Sequence, residues 1–114
     1  MLSTLEIHHR FHMLAQAVGQ AAQACSVERQ LPAELRSSVQ RLDQHADRLG
    51  ELLDKADGAP LDRLLTEMLV LVERARQVCI NVPQVSAHMR SAVHAVQGQL
   101  QELQRDLRAR QPAS

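Results

Sequence analysis

Aromatic residues are nearly missing from this chain: one Phe, with no Trp and no Tyr, in 114 residues. Base stacking has almost nothing to work with, and a cofactor pocket would lack aromatic walls. Net charge is missing as well. Thirteen basic and 13 acidic residues cancel, so no overall field draws the chain to an anionic membrane or to nucleic acid, whose phosphates call for a basic surplus. Long apolar runs are also absent. The longest, MLVLV at 68–72, falls far short of the roughly 20 residues that span a bilayer.

Other absences bear on chemistry. The opening MLSTLEIHHR has no charged segment followed by an apolar one, so no signal peptide is expected. With that, two cysteines read as reduced thiols of a cytoplasmic protein. Twelve of the 13 basic residues are Arg, a bias that points to a bacterium with a GC-rich genome. Only four glycines occur. No Gly-rich phosphate loop, Ser-His-Asp arrangement or Cys-x-x-Cys pair is readable. The expectation is a protein that is not an enzyme and holds no cofactor.

What the chain does have is helix. At this length it forms one domain, 1–114, burying roughly 65% of its unfolded surface. Ser3 with Glu6 forms a capping box for a first helix over about 3–26. Pro32 and Glu34 open a second, over 32–56, which Gly58 terminates. Pro60, with Asp62 in the first turn, opens a third over 60–81. Asn81 and Pro83 separate it from a fourth over 83–110, and 111–114 is a frayed tail. Apolar residues recur in steps of three and four along each segment. Ile7, Leu14, Val18 and Cys25 mark the first stripe, and Leu35, Leu42 and Leu49 the second. Leu65, Met68, Val72 and Cys79 mark the third, and Met89, Val96, Leu103 and Leu107 the fourth. Each stripe needs burial against the others. Short links make the fold class all-α, an antiparallel up-down-up-down four-helix bundle. No repeat with a period of 20–50 residues is evident.

HHRFH, at 8–12, invites a metal reading. His8 and His12 are four apart on one helix face and can share an ion, but they lie about 80° and 120° from the apolar stripe. His12, His45, Glu67 and His94 share a level in the bundle without sharing an interior, so the histidines read as solvated. Cys25 and Cys79 fall on diagonal helices, too far apart for a disulfide, and read as buried thiols.

DQHADRLG, at 43–50, resembles the active-site helix of histidine phosphotransfer domains, themselves helical bundles. In that family a phosphorylated His is followed three residues on by Lys and then directly by Gly. Here His45 is followed by Arg48, then Leu49, with Gly50 one position late. The resemblance covers about eight residues and implies phosphorylation at His45.

The third helix carries more apolar surface than one stripe requires: Leu64, Leu69, Leu71 and Val78 lie beside the seam and are the expected anchors of a protein interface. The fourth offers small residues at Ser91, Ala95 and Gly98. The expected function is therefore non-catalytic. A helical-bundle protein of the adaptor, assembly-factor or chaperone type would self-associate as a homodimer and bind another protein. The alternatives are phosphotransfer through His45 and a metal-binding bundle using His8 and His12. A polar break in the core is expected near Gln97–Gln99.

Overall fold

The computed structural model describes residues 4–55 and 58–110. Nearly all of them are helical: α1 (Thr4–Val27), α2 (Ala33–Lys55), α3 (Gly58–Asn81) and α4 (Ala87–Arg110). No strand occurs among the described residues. Each helix packs against its two neighbours in chain order, with α4 returning to α1. The diagonal pairs, α1 with α3 and α2 with α4, do not approach within 8 Å between Cα atoms among the described residues. That is the antiparallel up-down-up-down bundle, a rod of 45 × 23 × 20 Å, long enough for helices of about 36 Å.

The stripes explain the packing. Leu14, Leu35, Leu42, Leu49, Met68, Met89, Leu100 and Leu103 lose essentially all contact with solvent. Removing each such side chain from water contributes about 1.5–3 kcal/mol. The core also takes residues beside the stripes, including Ala17, Ala24 and Val93.

Helix starts differ from the expected ones, for local reasons. The α4 helix begins at Ala87 rather than at 83. The Ser86 hydroxyl accepts the Met89 N–H at 3.1 Å, and its carbonyl accepts the Arg90 N–H at 3.0 Å, so Ser86 is the N-cap. Val85, placed on the fourth stripe, sits in the loop yet is still buried. Gly58, expected as the stop of α2, is the first residue of α3. Pro60 is then the third residue of that helix, where a missing N–H breaks no bond, and Asp62 lies past the first turn. The Ser3 cap, the expected α2 end at Ala56 and the tail 111–114 fall outside the described residues.

A larger regularity runs through the fold. The second half of the chain repeats the first at an offset of 54 residues. Shifted by that amount, Thr4–Val27 falls on Gly58–Asn81, and Ala33 falls on Ala87. Identical residues recur at Val18 and Val72, Ala21 and Ala75, Gln23 and Gln77, and Cys25 and Cys79. They continue at Gln30 and Gln84, Ala33 and Ala87, Arg36 and Arg90, Ser37 and Ser91, and Val39 and Val93. The unit is a whole helical hairpin, longer than the 20–50 residue periods in which no repeat is evident. The two hairpins are related by a pseudo-twofold axis along the bundle, which brings loops 28–32 and 82–86 to one end.

The repeat extends to the loop clamps. Arg36, in the first turn of α2, donates from both terminal nitrogens, to the Cys25 and Glu28 carbonyls, each at 2.8 Å. Arg90, its equivalent on α4, donates to the Val82 carbonyl at 2.9 Å and to that of Val85 at 3.1 Å. The Glu28 and Val82 carbonyls are equivalent acceptors in the two loops; Arg36 adds Cys25, an open carbonyl in the last turn of α1, and Arg90 adds Val85 of the loop.

Candidate functional site

HHRFH docks through the residues between its histidines. His8, His9 and His12 are exposed. Arg10 pairs with Asp106 of α4 at 2.9 Å and reaches Glu102 at 3.8 Å. Phe11 lies across α2 at Gly50, where an added Cβ would stand 2.9 Å from the ring's Cζ. Among the described residues no group of three His, Cys, Asp or Glu side chains comes together in a way that could hold a metal.

The level shared by four helices splits as the angles require. His45 Nε2 and Glu67 Oε2 meet at 3.6 Å across the α2–α3 seam, while His12 and His94 stay exposed. Below this pair a groove of about 250 Å³ is lined by Arg48, Leu52, Pro60, Arg63, Leu64 and Glu67. The phosphotransfer resemblance loses its geometry at Gly50. The glycine that would leave room for a partner is covered by the chain's own Phe11.

Comparison with family models, curated proteins and solved structures finds no match.

Three of the four expected interface anchors lie inside the bundle. Leu64, Leu71 and Val78 are buried and Leu69 is half-buried. Leu64, Leu71 and Val78 are seven apart and share the face of α3 on which Glu67 meets His45 of α2. The repeat supplies the reason. At the equivalent places α1 carries Arg10, Ala17 and Ala24, so the extra bulk of α3 widens the core in one half of the bundle. The apolar side chains that α3 leaves open are Val70, 49% exposed, and Ile80, 55% exposed. Elsewhere Leu5, Met13 and Val27 are open. On α4, Ser91 is exposed, and Ala95 and Gly98 are half-buried; a Cβ on Gly98 would meet nothing within 4 Å.

Polar chemistry on α3 faces the other way, toward α4. Glu73 accepts from Arg76 Nε at 3.0 Å and Nη2 at 2.6 Å, from Gln77 at 3.1 Å, and from Gln97 of α4 at 3.3 Å. The hydrogen bonds from Arg76, then Gln77, hold the Glu73 carboxyl at about 2, below its ordinary 4.5. Gln97 joins this network from a half-buried position, and the core stripe expected to break near Gln97–Gln99 runs on through buried Val96 and Leu100.

The two thiols are free and buried. Burial raises the pKa of both. Next in weight, Arg36 opposes the rise at Cys25 and Arg90 opposes it at Cys79. Sequence spacing placed these cysteines on their stripes; it gave no sign that Met89 would touch one of them.

Proposed function

We propose that this chain is a non-catalytic module of a bacterial cytoplasm that self-associates and binds another protein, as an adaptor, assembly factor or chaperone does. The observation carrying this reading is that α3 keeps Val70 and Ile80 open to solvent after the bundle has filled its core. Open β-branched side chains beside half-buried Leu69 suit a second helix face laid against α3. The small residues of α4 suit close approach of a partner backbone. No helix among the described residues is long and apolar enough to cross a membrane.

The test uses surface substitutions, because a charge at the expected anchor Leu71 would break the core. In sedimentation equilibrium the wild-type chain should form a dimer, and Val70→Glu and Ile80→Glu should each weaken it with helicity unchanged. A dimer equally tight in both variants removes α3 from the interface.

A further inference from the structure

One layer of the core is unlike the rest. Under loops 28–32 and 82–86, buried Cys25, Leu35, Cys79 and Met89, one from each helix, stand at matching distances from their helix ends. The Cys25 Sγ lies 4.0 Å from the Met89 Sδ. The pseudo-twofold puts Cys79 across the axis from Cys25, each cysteine two residues from the end of its helix. The layer is therefore two thiols and a thioether, closed on the fourth side by Leu35.

A disulfide does not span this layer. It needs Cα atoms about 4.4–6.8 Å apart, and no Cα of α1 lies within 8 Å of α3 among the described residues. A bridging metal reaches farther, because two metal–sulfur bonds of about 2.3 Å replace one S–S bond of about 2.05 Å. The surrounding charges also fit a cation. Glu28 keeps a buried carboxylate oxygen without a hydrogen-bond partner among the described residues.

We propose that Cys25, Cys79 and Met89 bind one soft monovalent cation, Cu(I), beneath the two loops. Thiolate and thioether ligands favour Cu(I), whereas structural zinc takes four N, S or O ligands and Leu35 offers none. On binding, two S–H bonds break and two Cu–S bonds form, Met89 adds a third through a sulfur lone pair, and two protons leave for solvent. Copper enters and stays as Cu(I), so no electron is exchanged.

The test is anaerobic titration with Cu(I) against a chromogenic Cu(I) chelator, with native mass spectrometry to count copper gained and protons lost. The expected result is one Cu(I) per chain and two protons released. Loss of supporting groups around a metal typically costs about 10- to 100-fold in affinity, so Cys25→Ser and Cys79→Ser, which remove direct ligands, should cost at least about 100-fold. Met89→Leu should weaken binding about tenfold or more on the same scale and still fold, since Leu35 fills the matching place in the other hairpin. X-ray absorption on the wild-type protein gives a readout free of any folding question, and it should show three sulfur neighbours. Failure to compete with the chelator, a Cys25→Ser/Cys79→Ser double variant that binds as tightly as wild type, or a copper shell of nitrogen and oxygen would each overturn the proposal. Met89→Leu binding as tightly as wild type would overturn the three-sulfur site.

Discussion

The contact between Phe11 and Gly50 allows a sharp energetic prediction. Two effects compete when Gly50 becomes Ala. In a helix interior, Ala is favoured over Gly by about 1 kcal/mol. Against this, the new methyl would stand 2.9 Å from Cζ and 3.2 Å from Cε2 of Phe11. Carbons prefer about 3.5–4.0 Å, so the ring tip must withdraw by roughly 0.6 Å or more. Overpacking costs about 1–3 kcal/mol, and half-buried Phe11, whose tip can swing, belongs at the low end. Gly50→Ala should therefore lower stability by about 0–1 kcal/mol in the wild-type background. In a Phe11→Ala background the obstacle is gone, and the same substitution should raise stability by about 1 kcal/mol. Urea denaturation followed by circular dichroism measures both, and the double-mutant cycle should give a coupling of about 1–2 kcal/mol. Equal stabilisation in both backgrounds would mean that the ring does not cover Gly50 and that a docking gap is open there.

Other consequences follow from the same geometry. Leu71→Ala should cost about 2–5 kcal/mol as a core truncation, whereas Ile80→Ala should stay within about 0.5 kcal/mol; comparable losses in urea titration would contradict the assignment of Leu71 to the core and Ile80 to the surface. Arg36→Ala and Arg90→Ala each remove two charge-assisted hydrogen bonds from half-buried sites, which points to about 1–2 kcal/mol apiece, and a large difference between them would argue against equivalent clamps. Glu73 has its folded pKa lowered to about 2 from 4.5. Its contribution is therefore complete above the unfolded value and is lost as pH falls from about 4.5 toward 2. A side-chain carboxyl titration by NMR should show that low midpoint, and Arg76→Ala should move it back up; a midpoint near 4.5 in the wild type would remove the hydrogen-bond explanation.

Most of the fold is legible because stripes of three and four residues dictate burial whatever surrounds them. Val18, Leu42, Met68 and Val96 are buried where periodicity alone puts them. Helix starts are less legible, since Pro83 and Ser86 both signal a beginning and only the Ser86 bond to the Met89 N–H decides between them. The surplus on α3 reads equally as interface or widened core until its neighbours are known. Leu71 and Val78 fill space that the equivalent Ala17 and Ala24 leave elsewhere. Arg36 and Arg90 look like ordinary surface charges in sequence. A signal was nonetheless present: each stands 11 residues after a cysteine, at the same place in both copies of the repeat.

Native mass spectrometry on untagged protein, purified without chelator, tests the central claim most directly, because it counts subunits. The interaction reading predicts a dimer of the 12.7 kDa chain that Ile80→Glu converts to monomer. A wild-type chain that remains monomeric at every concentration, with Ile80→Glu changing nothing, would contradict it.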